Sequence, residues 1–258
     1  LFLDYAQKLG FAKIATGHYA RITKDKDGFH LLRGKDANKD QSYFLAGLTQ
    51  KQLSLAMFPI GELDKPEVRQ IAKEAELANY DRKDSQGICF IGKVDLKTFL
   101  QQKIKPKTGV IEDTDGNRLG EHQGVWYYTI GQRKGLDLPG GPWYVAEKHI
   151  KDNKIIVGRG DDAKLYTNIV QVSELHWLGQ EYKLPLTATA QIRYRQAPQD
   201  VTMAPPLDKE GVKNILPLDK ERLGGVTATF KKPQKGVASG QILAIYIKDE
   251  LVGSGNIL

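Results

Sequence analysis

In the first third of the chain, apolar residues recur at the spacings of both helices and strands. An apolar stripe over residues 1–9 predicts a helix that ends at Gly10, because a glycine there supplies a left-handed cap. The apolar run 11–16 predicts a short strand that ends at Gly17. Alternating positions around a Lys-Asp-Gly turn predict a hairpin over 20–33. This mixture indicates an α/β arrangement with Gly17 at the carboxyl edge of a sheet, where ligands of such sheets gather.

Three more helices are predicted in the stretch that follows. The first starts near Asp40, which suits an N-cap. The second starts at Asp64, where Glu67 closes a capping box and Pro66 occupies the first turn. The third starts at Asp95. Apolar residues at helical spacing predict that the last two helices each bury one face, formed by Val68, Ile71, Ala72 and Ala75 and by Leu96, Phe99 and Leu100.

The middle of the chain is rich in glycine and short strands. Hairpins are predicted over 110–120 and 143–158. Between them, residues 122–135 are dense in aromatic residues and glycine and end close to two basic residues. Two interpretations stay open for this segment. Its aromatic rings and cations could grip splayed nucleotides, or Trp126 and Tyr128 could pin a small core.

The last third shows longer and clearly alternating strands. Strands over 187–195 and 226–230 and a hairpin over 241–257, with no helical pattern between them, predict a small antiparallel barrel or sandwich. On the first of these strands, Arg193 and Arg195 fall on the face opposite the apolar residues. Such a basic row is most often a solvated face, and an RNA-binding surface is the alternative.

Composition narrows the class of protein. With 40% hydrophobic and 27% charged residues over 258 positions, the chain has the make-up of a soluble globular protein. It has no apolar run near the ~20 residues that a membrane-spanning helix needs. The net charge of +7 favours a polyanionic partner, nucleic acid ahead of membrane. A single cysteine excludes an internal disulfide and a thiolate metal cluster, and it favours a reducing compartment such as the cytosol.

Few residues suggest chemistry directly. Cys89 follows the polar turn 84–87 within a short apolar run. It could be a nucleophile if its pKa falls below the usual ~8.5, or an inert core residue, since free cysteine is often buried. Lys39 beside Asp40 is either a solvated lysine next to a helix cap or part of a helix N-terminus that contacts a phosphate or a base. The sequence has no Walker- or Rossmann-type glycine loop and no histidine pair at helical spacing.

Five motifs follow one another in a single order along nearly the whole chain. They are Ala15-Thr16-Gly17-His18-Tyr19-Ala20, Lys39-Asp40-Gln41-Ser42-Tyr43-Phe44-Leu45, Asp84-Ser85-Gln86-Gly87-Ile88-Cys89-Phe90-Ile91-Gly92, Tyr128-Thr129-Ile130-Gly131-Gln132-Arg133-Lys134-Gly135-Leu136 and Arg193-Tyr194-Arg195. With these motifs, the sequence closely resembles the bacterial tRNA-specific 2-thiouridylases. Five matches in register leave little room for coincidence.

The resemblance implies three parts. Residues 1–94 would be the C-terminal part of an ATP-pyrophosphatase-type α/β catalytic domain, a remnant of an adenine-nucleotide alpha-hydrolase-like, Rossmann-type domain. Residues 95–160 would form a small central domain, and 161–258 an antiparallel β-barrel. Members of the family use ATP, expected with Mg²⁺, to adenylate the C2 carbonyl of the wobble uridine U34, and sulfur from a cysteine persulfide then gives 2-thiouridine. The implied partners of this cytoplasmic, monomeric enzyme are tRNA and a sulfur-relay protein or cysteine desulfurase, with no membrane.

The resemblance also implies roles for single residues. Cys89 matches the cysteine that carries the persulfide, and Gly17 matches a backbone contact to ATP. The other matches are tRNA contacts, and no metal ligand is among them: His18, Lys39, Asp40, Gln41, Arg193, Tyr194 and Gln241. The sequence lacks the family's Ser-Gly-Gly-Val-Asp-Ser-Ser type ATP loop and its second cysteine. We therefore expect a fragment that by itself neither binds ATP properly nor turns over, and measurable adenylation by it would refute this.

Two other functions fit the residues. A non-catalytic RNA-binding module would use the central aromatic segment and the barrel, and Cys89→Ser would then be silent. A related ATP-pyrophosphatase ligase acting on a small metabolite would have no affinity for tRNA. The net charge of +7 and the pair Arg193 and Arg195 argue against this last function.

Overall fold

The structure, a computed structural model, describes residues 2–81, 96–206 and 225–258. The chain forms two compact units. The first combines Leu1–Asp81 with Ile169–Lys232 and Ser239–Leu258, and the second combines Arg82–Asn168 with Pro233–Ala238. Cys89 lies outside the described residues. None of the described helices has the length and apolar character needed to cross a membrane.

The N-terminal part of the first unit contains short helices and strands. In chain order they are α1 (Phe2–Lys8), β1 (Ile14–Ala15), β2 (Ala20–Asp25), β3 (Gly28–Arg33), a 3-10 turn (Ser42–Leu45), α2 (Gln50–Ser54), β4 (Ala56–Met57) and α3 (Lys65–Glu74). The helix end at Gly10 is confirmed, with φ +84°. The strand expected over 11–16 is reduced to β1, which pairs in parallel with β4.

Helix α3 begins where the sequence predicts, but its apolar stripe is not in a core. The backbone N–H of Asp64 donates to Glu67 Oε2 at 2.6 Å, which is one half of the expected capping box. The helix has no buried residue, and Ile71 is 52% exposed. The prediction of a core-facing stripe is therefore wrong for the described residues, because helical spacing identifies an apolar face without identifying what covers it.

The second unit is built on a small mixed sheet. Its elements are α4 (Leu96–Gln101), β5 (Gly109–Asp113), β6 (Arg118–His122), β7 (Trp143–His149) and β8 (Lys154–Arg159). The strand order is β6-β5-β8-β7, and both predicted hairpins are confirmed. Tyr128 belongs to the core of this unit, whereas Trp126 is 38% exposed, so the core interpretation holds only for the tyrosine. Phe99 of α4 is also exposed, contrary to the prediction.

The remaining strands form a closed antiparallel barrel. They are β9 (Tyr166–Trp177), β10 (Leu186–Gln191), β11 (Gln199–Ala204), β12 (Val226–Lys235), β13 (Ile242–Ile247) and β14 (Glu250–Ile257). The sheet runs β13-β10-β11-β12-β9-β14, and pairing of β13 with β14 closes it. The sequence pattern is compatible with either a barrel or a sandwich, and the pairing of β13 with β14 shows that the sheet is a barrel.

The hairpin β2–β3 extends the barrel sheet rather than the parallel pair of the N-terminal part. Leu31 and Leu32 of β3 pair with Leu251 and Glu250 of β14. Leu31 and Leu251 lie in one buried cluster with residues of the 3-10 turn, α2 and β13. Sequence periodicity predicts a hairpin but not its partner strand, and this shared core sets the geometry of the surface described next.

Candidate nucleic-acid interface

Asp40 organises the loop over residues 34–41, here called the 34–41 loop. Its Oδ1 accepts hydrogen bonds from the backbone N–H groups of Gly34 at 3.1 Å and Ser42 at 3.0 Å. Its Oδ2 accepts from Arg33 Nη1 at 3.1 Å and from Ser42 Oγ at 3.0 Å. These bonds occupy the carboxylate, so Asp40 holds the loop in place rather than offering a free acceptor.

The α-helix expected after Asp40 does not form. Residues Ser42–Leu45 make only a 3-10 turn, and Thr49 already begins α2 with its own capping box. There is no room for a longer helix between these two starts. The helix N-terminus predicted at Lys39 and Asp40 is therefore wrong, and a single short turn has almost no helix dipole. The contacts of these two residues with a nucleic acid stay a prediction.

Gln41 ties the 34–41 loop to the start of β2. Its backbone N–H donates to the carbonyl oxygen of Tyr19 at 2.9 Å, and its Oε1 accepts from the N–H of Tyr19 at 3.0 Å. Gly34 packs against the same tyrosine, since a Cβ there would lie 2.7 Å from the carbonyl oxygen of Tyr19. A larger residue would push the loop away.

His18 and Gly17 lie next to this junction, after β1. His18 Nδ1 is 2.8 Å from Thr16 Oγ1, and its ring meets that of Phe58 edge-on. Burial lowers the pKa of His18, which favours the neutral imidazole at pH 7. Gly17 is exposed, and a Cβ there would meet no atom within 4 Å. The contact between Gly17 and ATP that the resemblance implies stays a prediction.

Arg33, which the sequence analysis did not single out, connects the loop to the barrel. Its Nη1 also donates to Gln191 Oε1 at 3.4 Å, and its guanidinium lies 3.6 Å from the centroid of the Tyr246 ring. Its Nη2 is buried and has no hydrogen-bond partner among the described residues. Burial raises the pKa of Tyr246 to about 12, so its hydroxyl stays protonated and shares a hydrogen bond with Ser42 Oγ at 3.1 Å.

Arg193, Tyr194 and Arg195 lie on a turn and not on the strand that alternation predicts. Strand β10 ends at Gln191, and Arg195 has φ +64°. Gln196 closes the turn, because its Oε1 accepts from the N–H of Ile192 at 2.9 Å and its backbone oxygen accepts from the Gln191 side chain. The prediction of a basic row on the outer face of a strand over 193–195 is therefore wrong, because these residues lie beyond the end of β10.

This turn carries an aromatic surface. The ring of Tyr194 packs on that of Phe44, with centroids 4.3 Å apart. Phe44 is 58% exposed, and the guanidinium of Arg195 lies 5.4 Å from the Tyr194 ring. Arg193 is half-buried, and this burial lowers its pKa while nearby Tyr43 opposes the shift. An exposed aromatic pair beside a cation suits stacking of a base next to its phosphate.

A cavity of about 840 Å³ lies between the 34–41 loop and the barrel turn. Its wall contains Asp40, Tyr43, Tyr194 and several side-chain amides. The cationic residues that line it outnumber the carboxylates Asp40 and Asp249: they are Arg21, Arg33, Lys35, Arg195 and Lys248. The balance of charge is positive, which is the electrostatic signature of a polyanion site.

The predicted site residues are only partly brought together. Asp40 and Tyr194 line this cavity, and Lys39 lines a second cavity beside α3. Gln41 is the last residue of the 34–41 loop, and His18 lies just before β2. Gln241 precedes β13, where its backbone oxygen accepts from the N–H of Ile257 at 2.8 Å. Within the described ranges, no group of His, Asp or Glu side chains could hold a metal ion.

Sequence reasoning missed four cations of the cavity: Arg21, Arg33, Lys35 and Lys248. The hairpin register brings the first two together, since Arg21 Nε donates to the backbone oxygen of Arg33 at 2.7 Å. Lys248 lies with φ +54° in the turn between β13 and β14. The sequence does show an arginine near the start of the hairpin and another at its end. Such pairs are common, so without the strand pairing they do not indicate a site.

Three family models match consecutive parts of the chain. A tRNA methyl transferase HUP domain matches residues 1–93, a tRNA methyl transferase PRC-barrel domain matches 97–159, and an aminomethyltransferase beta-barrel domain matches 167–257. Together with the closed barrel, they confirm the predicted fold class of an α/β part, a central domain and an antiparallel barrel.

Curated relatives match over nearly the full chain. The tRNA-specific 2-thiouridylases MnmA of Shouchella clausii, Pseudoalteromonas translucida and Nitrosococcus oceani are each 42% identical to it. The matches cover 98%, 98% and 99% of this chain and 67%, 68% and 68% of those proteins, respectively. The resemblance seen in the sequence is thereby confirmed: this chain belongs to the family of tRNA-specific 2-thiouridylases.

Proposed function

We propose that this chain acts in the 2-thiolation of tRNA. In this proposal ATP transfers AMP to the C2 oxygen of the wobble uridine U34 and releases pyrophosphate. The outer sulfur of a persulfide on Cys89 then attacks C2 and displaces AMP. A second thiol attacks the Cys89 sulfur of the resulting disulfide, which leaves 2-thiouridine and a disulfide at Cys89. The relatives named above support the thiolation itself. The positively charged, aromatic cavity between the 34–41 loop and the barrel carries the proposal that this chain binds the RNA.

The cavity offers the two kinds of contact that an unpaired RNA segment needs. Arginine and lysine side chains at its wall match phosphates, and they position the RNA without reading its sequence. Tyr194, packed on the exposed Phe44, offers a face on which a base can stack. The Arg33–Asp40 ion pair holds the loop and the barrel at a fixed spacing, so the surface is formed before RNA arrives.

The aromatic surface can be tested by binding. Stacking of one base on an aromatic side chain contributes roughly 1–3 kcal/mol. Tyr194→Ala is therefore expected to weaken the affinity for tRNA about tenfold, measured by fluorescence anisotropy at fixed salt. Tyr194→Phe, which keeps the ring, is the matched control and is expected to bind like the unaltered chain. If Tyr194→Ala binds tRNA as tightly as the unaltered chain, Tyr194 does not belong to the interface.

The chemistry can be tested in cells. With Cys89→Ser in the gene that encodes this chain, we expect 2-thiouridine to disappear from bulk tRNA while the protein level, followed by immunoblot, stays normal. Mass spectrometry of the nucleosides separates replacement of oxygen by sulfur from addition of a methyl group. Full retention of 2-thiouridine would contradict the role of Cys89 and favour the non-catalytic RNA-binding module.

A further inference from the structure

A second basic cavity lies on the other side of the 34–41 loop. It measures about 630 Å³ and lies between that loop and helix α3. Asp36 and Asp81 are its carboxylates, and Tyr80, 41% exposed, contributes an aromatic ring. Its cationic residues are Lys39, Lys65, Arg69 and Lys73. Like the first cavity, it therefore has an excess of positive charge.

Three of these cations form a row along α3. Lys65, Arg69 and Lys73 are spaced four residues apart, so they share one face of the helix at steps of about 6 Å. Both carboxylates of the helix accept hydrogen bonds. Glu67 accepts from Lys35 Nζ at 3.1 Å, and Glu74 accepts from Gln70 Nε2 at 2.7 Å.

Contacts with the loop hold this row in place. Asp36 Oδ2 accepts from the backbone N–H of Lys65 at 3.1 Å, while its Oδ1 accepts from the N–H of Asn38 at 2.9 Å. Lys35 adds its ion pair with Glu67. The first turn of α3 is thus bonded to the same loop that forms the wall of the candidate interface. The two cavities also share Asn38 as a lining residue.

We propose that the basic row of α3, with Lys39 beside it, binds backbone phosphates of tRNA and extends the interface beyond the first cavity. This inference rests on the proposed function, because it takes tRNA as the partner. Cations on a pre-positioned helix suit phosphates, which need charge and no base-specific geometry. Such contacts strengthen binding of all tRNAs alike and make it depend on salt.

The test compares two double variants of equal charge. Arg69→Gln with Lys73→Gln removes two cations of the row, and Lys26→Gln with Lys51→Gln removes two exposed lysines that line neither cavity. Affinity for unfractionated tRNA is measured by fluorescence anisotropy at several KCl concentrations. We expect the α3 variant to bind about three- to tenfold more weakly and to lose about two units of salt slope, roughly one for each phosphate contact. The control should stay near the unaltered chain.

The outcomes separate this inference from the proposed function. If the unaltered chain binds tRNA and the two double variants bind equally well, the row makes no phosphate contact and the inference alone is overturned. If the unaltered chain does not bind tRNA, the proposed function fails and the inference fails with it. Thermal unfolding of each variant checks that the exposed substitutions leave the fold intact.

Discussion

At Asp40, a single carboxylate determines whether the candidate interface exists in its present form. It satisfies two backbone donors of its own loop and the guanidinium of Arg33. That arginine in turn contacts Gln191 and Tyr246 of the barrel. The sequence predicted a cap at Asp40, since aspartate suits local bonding to backbone N–H groups. The role of Arg33 could not be predicted, because its barrel partners are distant in the chain.

Removing this carboxylate should cost both stability and binding. Asp40→Ala leaves the largely buried Arg33 without its ion pair and the N–H groups of Gly34 and Ser42 without an acceptor. We expect a loss of roughly 2–4 kcal/mol in the free energy of unfolding, measured in urea, and weaker binding of tRNA. Asp27→Ala, an equal charge change in an exposed hairpin turn, is the control. Equal losses in both variants would mean that Asp40 contributes only its charge.

At the scale of elements, sequence periodicity predicted the secondary structure of each segment better than its packing partners. The hairpins β2–β3, β5–β6 and β13–β14 are confirmed, because alternation and turn residues are local signals. The errors concern where elements end and what they pack against. Strand β10 ends early because Gln196 bonds back to it, and the stripe of α3 remains exposed. The docking of β3 on β14 depends on a partner far along the chain.

His30 joins the hairpin to the barrel. Its Nδ1 is 2.7 Å from Glu250 Oε1 of β14, and its Nε2 is 2.9 Å from Asp25 Oδ1 of β2. The hydrogen bonds to Glu250 and Asp25 raise the pKa of His30 above its ordinary value of 6.5. Because the folded pKa is the higher one, this stabilisation is fully present below pH 6.5 and is lost as the pH rises through the raised value.

The expected outcome is therefore a pH-dependent effect of His30→Gln. The variant should have a lower Tm than the unaltered chain at acidic pH, and the difference should shrink at alkaline pH, followed by thermal unfolding across this range. His149→Gln is the control, since His149 is exposed and its ring pairs with Glu147 of the same strand. A Tm difference for His30→Gln that is the same at all pH values would point to lost packing instead of lost charge.

At the scale of the molecule, the hairpin and the barrel share one buried cluster. The first compact unit joins residues before 81 with residues after 169. Its buried cluster includes Leu31 of β3, Leu53 of α2 and Tyr246 of β13. Sequence analysis divided the chain at 94 and 160, and this division stays a prediction. Local sequence patterns show where the composition and the predicted elements change along the chain. A core that distant segments share can be recognised only when the pairing of the strands is known.

A cavity at Leu31 tests this shared core. Leu31 is fully buried, so Leu31→Ala should lower the free energy of unfolding by roughly 2–5 kcal/mol. Because hairpin and barrel strands pack on the same side chain, hydrogen exchange should quicken together in β3, β13 and β14. Leu77→Ala, the same change at a leucine that is 51% exposed, should leave exchange unaltered. Faster exchange confined to β2 and β3 would mean that the hairpin opens separately. The interface it carries would then be positioned by the Arg33–Asp40 pair and not by the core.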